Sequence, residues 1–494
     1  MTAAADLADY LGRLSALERV AGLLGWDQET QMPLRGAAQR GAEAGAVAAA
    51  IHGLASDPRL ADLCDAAEAE GPDLRTATDV REARRMHARA TRVPATLASE
   101  LAAVTSQAQG IWARARAAKD FAGFAPTLAH VVLLKRSEAA CLAAPGQSPY
   151  DALIDDFEPG MTAEALAEMF ADLRPGLVDL RGRIAEVARP APRLAGTFDH
   201  APQLALSRRI GEALGYDWSA GRLDLAVHPF CSGRLGDVRI TTRVDAEDPL
   251  GNVYSTVHEL GHALYEQGLD PEIALTPAGA AASMGVHESQ SRLYENQIGR
   301  SRAFARWLYP QLREAFGEVG LASAEELHRA NNAVATGFIR TEADEVHYNL
   351  HVMMRFELER ALISGALEVA GLEAAWNARF EEDFGGAVPD AAQGVLQDVH
   401  WSVGLFGYFP TYTLGNVYAA TLDAAIRAEI PDLDDQVAAG EFGALLGWLR
   451  PRVHRRGKLA APETIIAEAA GRKPEPAFLI AALERKFGEL YDLG

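Results

Sequence analysis

Apolar side chains return every three or four residues near the start of this chain, at Leu7, Tyr10, Leu11, Leu14, Leu17, Ala21 and Leu24. A period near 3.6 collects them on one stripe of a helix, and a strand could not hold them on one face. Ala- and Leu-rich stretches at about 36–53, 94–117, 122–143 and 163–188 keep the same rhythm, with Pro145-Gly146 and Pro159-Gly160 as punctuation. No fixed-period repeat runs through them, which argues against a helical solenoid. A helical N-terminal part over about 1–200 is therefore expected.

The remaining composition limits the partners. The 494 residues are 49% hydrophobic and 23% charged, enough for a large core. Lys and Arg number 47 against 68 Asp and Glu, a net charge of −21, which repels nucleic-acid phosphates and anionic membrane surfaces. Neither partner is expected. The opening MTAAADLADYLGRL lacks a basic leader and carries Asp6 and Asp9 where a signal peptide needs apolar residues. Cys64, Cys141 and Cys231 are few and far apart, so the expected setting is reducing and cytoplasmic.

Residues 222–244 break the helical rhythm. Val238, Ile240 and Thr242 alternate, and a β-hairpin turning at Ser232-Gly233 is expected. Such a sheet could offer an edge to an extended peptide or serve the fold alone. Helices resume after residue 245, a long one over about 343–369, while the Gly- and aromatic-rich segment 401–416 reads as an ordered loop.

His258-Glu259-Leu260-Gly261-His262 is an HExxH pattern. Asp248-Pro249 supplies a cap and first-turn proline, and Gly268 with Pro271 marks the far end, so the pattern falls within a helix. Histidines four apart share a helical face and can place two imidazole nitrogens on one metal ion. Glu259 lies about 100° around from His258 and can lean over the metal without ligating it. Val257, Leu260, Gly261 and Leu264 form a buried stripe, with Gly261 admitting a close neighbour. A third ligand is required, and His287 and Glu288 both offer one. Glu288 could equally pair with Arg292 at i+4. Spacing favours neither.

The chain resembles the Taq-type thermostable metallocarboxypeptidases. In order it carries His228-Pro229-Phe230, the DxRxT element Asp237–Thr241, HELGH at 258–262, His287-Glu288-Ser289-Gln290, the IRxxAD element Ile339–Asp344, and Gly407–Asn416. The resemblance implies a mainly α, single-domain fold over 1–494, with a deep central cleft, a small antiparallel sheet beside the active site and a zinc-site part at about 220–420. It also implies a homodimer, peptide substrates with a free C-terminus, and Zn2+ as cofactor with Co2+ as a possible substitute. By position it makes His258, His262 and Glu288 the metal ligands and Glu259 the catalytic carboxylate.

Zinc would lower the pKa of bound water toward ~7, with Glu259 as general base and then acid. Tyr408 and Tyr412 are candidate oxyanion donors on a Gly- and Pro-fixed segment. Arg340 is the candidate for the substrate α-carboxylate, with Arg239 as runner-up, because a planar guanidinium binds that group bidentately. Each arginine has a structural alternative, Asp344 for Arg340 and Asp237 for Arg239. His228 completes the candidate binding residues; His347 and His351 are further cleft candidates outside these blocks, and a lone histidine is more often structural. Competing functions are a helical metallo-oligopeptidase of related fold and a non-catalytic metal-binding helical protein.

Overall fold

The computed structural model describes residues 2–187 and 189–493, and helices dominate it. The first, Ala3–Thr30, is capped by Thr2, whose hydroxyl accepts from Ala5 N. Leu7, Tyr10 and Leu11 of the expected stripe join Leu60, Cys64, Ala67, Val80 and Ala83 in one buried cluster. Each fully buried leucine there contributes roughly 1.5–3 kcal/mol, which is what fixes the helix in place. Leu17, Ala21 and Leu24, further along the stripe, are only half-buried. The next four stretches form helices Ala37–Ser56, Ala95–Ala118, Phe121–Leu142 and Ala163–Val187; residue 188 lies outside the described residues. The later long helix runs Glu345–Ser364, capped by the Asp344 carboxylate and ended by Gly365 in the left-handed conformation.

Two expectations need correction. The sheet, three-stranded among the described residues, is mixed rather than antiparallel, with β1 (Gly221–Leu225) and β2 (Cys231–Arg234) flanking β3 (Asp237–Thr242). β2 and β3 form the hairpin, closed by the pair Arg234 and Asp237, while β1 runs parallel to β3. Alternation identifies a strand but says nothing about its partner's direction. The hairpin turns at Leu235-Gly236, and Ser232-Gly233 lies within β2. Gly233 has φ +91°, and a Cβ there would collide with the Asp237 carbonyl oxygen, so this glycine serves a strand distortion rather than a turn.

The second correction concerns 401–416. His400–Val403 is a 3₁₀ turn, and helix Pro410–Glu429 begins inside the expected loop. Proline is favoured in the first turn of a helix, so Pro410 starts an element here rather than punctuating a loop.

The chain falls into two compact units, each of discontinuous segments. One holds residues up to 91, 191–331 and 418–474, and includes the sheet and the HELGH helix. The other holds 92–190, 332–417 and the residues from 475 onward. Among the described residues, no helix is long and apolar enough to cross a membrane.

Candidate active site

The HELGH segment lies in helix Pro249–Gly268, capped by Asp248, whose carboxylate accepts from Gly251 N at 3.0 Å. Val257, Leu260, Gly261 and Leu264 are buried, as the stripe requires. Gly261 decides what packs there. A Cβ on it would stand 2.6 Å from both Gln290 O and Ser291 Cα, so helix Met284–Arg292 approaches backbone to backbone. That contact brings Glu288 to the histidines. Gly261→Ala is expected to push the two helices apart, costing about 1–3 kcal/mol by overpacking and weakening metal binding. Thermal unfolding with metal titration checks this, and a variant matching wild type in both would refute it.

His258 Nε2 lies 3.8 Å and His262 Nε2 3.5 Å from Glu288 Oε2. Both separations exceed the about 2.7–3.2 Å of a good hydrogen bond. The three donor atoms lie within 4.8 Å of one another, as they would around a shared ion. Glu288 also makes its local pair, Oε1 accepting from Arg292 Nε at 2.7 Å, while Oε2 accepts from Ser291 Oγ at 3.0 Å. The two readings of Glu288 coexist because its two oxygens face different partners. Adjacent His287 points elsewhere, its Nδ1 2.5 Å from His262 Nδ1 and its Nε2 3.0 Å from Glu266 Oε1.

The far sides of the histidines are tied down. His258 Nδ1 lies 2.8 Å from Glu295 Oε2, and His262 Nδ1 lies 3.1 Å from the His287 carbonyl. Glu295 sits in a π-helical turn, Leu293–Gly299, and also accepts from Arg292 and Arg300 at 3.2 Å each. Such π turns recur at functional sites because they re-aim side chains within a helix. Burial opposes ionisation of Glu295, but Arg292, His258 and Arg300 outweigh it and hold the carboxyl well below its ordinary range. His258 is raised despite burial, by Glu288, Glu295 and Glu259. His262 is held well below its usual value by burial and by the neighbouring cationic groups. Burial lifts the Glu259 carboxyl to about 7, and the residue is only 6% exposed. Two imidazole Nε2 atoms, one carboxylate oxygen and carboxylate or carbonyl acceptors behind the rings suit a divalent metal.

Arg340 lies in the other unit, 4% exposed. It pairs with Asp398 rather than Asp344, donating Nε at 3.1 Å and Nη2 at 2.9 Å to Oδ1, while Nη1 donates to Tyr348 Oη at 3.2 Å. Arg355 donates from Nε to the same carboxylate's Oδ2 at 2.6 Å, so two buried guanidinium groups share one Asp. Burial opposes it, but the two arginines draw Asp398 well below the usual carboxylate range. Tyr412 is half-buried, its ring 5.0 Å from the Arg340 guanidinium and its hydroxyl 3.4 Å from His400 Nε2. Tyr408 packs edge-on against Tyr412, ring centroids 5.3 Å apart.

In the unit that carries the histidines, Arg239 is held bidentately by Asp237 and lies 4.1 Å over the Trp26 ring, its structural alternative realised. His228 is exposed between β1 and β2. His347 contacts the cap carboxylate of Asp344, and His351 packs on Phe384. Glu266, Glu295, Asp398 and His400 escaped the sequence reading.

The family described as carboxypeptidase Taq (M32) metallopeptidase matches residues 6–487. Thermostable carboxypeptidase 1 of Thermus thermophilus is 41% identical over 504 aligned residues, covering 98% of each chain. Carboxypeptidase 1 of Bacillus subtilis is 35% identical, also over 98% of each. The solved M32 carboxypeptidase from Deinococcus radiodurans superposes with a TM-score of 0.95 at 40% identity, covering 99% of each chain. Trypanosoma cruzi metallocarboxypeptidase 1 gives 0.96 at 34%, covering 98% of this chain and 99% of that one. End-to-end similarity of sequence and fold, joined to a histidine–glutamate grouping suited to a metal, places this chain in the Taq-type (M32) family: it is a metallocarboxypeptidase, a hydrolase of peptides.

Proposed function

We propose that this carboxypeptidase uses zinc held by His258, His262 and Glu288 to remove residues from free peptide C-termini, with Glu259 as general base and acid. The observation that carries the reading is the convergence of the two Nε2 atoms on Glu288 Oε2, at 3.8 and 3.5 Å, beside a buried Glu259. Zinc when bound supplies Lewis acidity toward the scissile carbonyl and a lowered pKa for water; cobalt is a possible substitute. Glu259 accepts a proton from the attacking water and returns it to the leaving amine. Tyr408 and Tyr412 are assigned to donate a phenolic hydrogen bond to the developing oxyanion.

Arg340 is assigned to the substrate α-carboxylate. It and Arg355 share a single carboxylate, so an added anion completes a cluster otherwise rich in guanidinium. A reducing, cytoplasmic setting fits the widely spaced free thiols of Cys64, Cys141 and Cys231. The homodimer is carried by the family resemblance alone, and sedimentation tests it.

The deciding experiment compares free-acid and C-terminally amidated forms of one peptide by mass spectrometry. The free acid is expected to shorten one residue at a time and the amide to resist. Internal cleavage of the amide would replace this reading with that of an oligopeptidase.

A further inference from the structure

Glu266 and His287 lie beside the proposed ligand set without belonging to it. His287 Nδ1 and His262 Nδ1 face each other at 2.5 Å, a separation that needs one proton between them. Two N–H groups would collide there, and two bare lone pairs would repel. His262 Nε2 faces Glu288, so a metal there needs the Nε2 lone pair and the His262 proton must sit on Nδ1. His287 Nδ1 is then the acceptor, and the His287 proton sits on Nε2, aimed at Glu266 Oε1 3.0 Å away. Every proton in the row is fixed from one end.

We infer that Glu266 and His287 are positioning residues that act in series on His262, setting its tautomer and ring orientation for the metal. The inference rests on the ligand assignment above. Glu266 is 8% exposed, and its second oxygen finds no hydrogen-bond donor among the described residues, with Arg234 Nε 3.8 Å away. Its side-chain hydrogen bond among the described residues thus goes to His287, with Arg234 beside the other oxygen. His258 is supported directly by Glu295, whereas His262 Nδ1 meets the His287 carbonyl at 3.1 Å as well as the His287 ring that Glu266 holds. Partners behind a ligating histidine typically contribute about 10–100-fold to metal affinity.

The test measures zinc affinity by chelator competition on purified full-length protein, with kcat and KM on a free-acid peptide and unfolding of the metal-free protein alongside. Glu266→Leu is expected to weaken zinc binding about 10–100-fold. Glu266→Gln, whose amide oxygen still accepts from His287 Nε2, recovers most of that loss. His287→Phe keeps a ring of similar shape and the residue 287 carbonyl but removes the ring acceptor and the link to Glu266, and weakens binding comparably. Because the two act in series, the double variant Glu266→Leu/His287→Phe is expected to be no worse than His287→Phe alone. Wild-type affinity in His287→Phe, or losses that add in the double variant, would overturn the inference. If Glu266→Leu fails to fold, His287→Phe against Glu266→Gln decides on the same terms. Glu288→Ala separates the premise from the inference, because zinc binding that survives it overturns the ligand assignment itself.

Discussion

Glu259→Gln is expected to leave metal content and fold intact while lowering kcat by ~10²–10⁴-fold, the usual worth of a positioned general base, the role proposed for this residue. Glutamine has the shape of glutamate and cannot take a proton from water. Glu259 is nearly enclosed, and burial raises its carboxyl to about 7, close to the pH at which a base must both accept and release a proton. Glu259 is not among the grouped donors His258, His262 and Glu288, so metal retention is not expected to depend on its carboxylate. KM should move little, since the group acts on the transition state rather than on bound substrate. Metal analysis with steady-state kinetics checks both halves. Turnover equal to wild type would remove Glu259 from the mechanism, and loss of metal would move it into the ligand shell.

Asp398→Asn is expected to destabilise the protein by about 3–5 kcal/mol, the cost of stripping a buried pair of its counter-charge. Arg340 and Arg355 would then face each other across a neutral amide, both at most 4% exposed. The urea midpoint at pH 7 reads the loss, and KM for a free-acid peptide should rise as Arg340 shifts. The pH dependence carries a definite sign. Asp398 titrates below its ordinary value of about 3.9, so below that pH the unfolded chain binds the proton first. Its stabilisation is complete above about pH 4 and is lost as pH falls further. The variant should therefore lose stability less steeply below pH ~4 than wild type. An unchanged midpoint at pH 7 would show that the cluster does not hold this unit together.

Local patterns carried much of this fold and part of the site. The stripe from Leu7 to Leu14, the cap at Asp248 and the face shared by His258 and His262 all follow from a period of 3.6, which needs no knowledge of the rest of the chain. Sheet direction did not follow, because Val238 and Ile240 alternate identically whether β1 runs with β3 or against it. The groups behind the site were hidden for another reason. Glu295 meets His258 across 37 positions, Glu266 meets His287 across 21 and Asp398 meets Arg340 across 58. A carboxylate with a distant partner looks like any solvated charge until the chain is folded. Arg340 shows the same limit from the other side, since Asp344 is the near acid and Asp398 the one it meets.

The close approach at Gly261 changes what the HExxH pattern means in this protein. In general form the pattern leaves its two middle positions blank. Here neither is blank: Leu260 is fully enclosed, and position 261 has no room for a single carbon beyond the backbone. The chemical letters, His and Glu, are common to any helix able to hold such a metal. The silent letter between Leu260 and His262 is the one that says which second helix brings Glu288 to the histidines, and so the information specific to this architecture resides in a residue with no side chain.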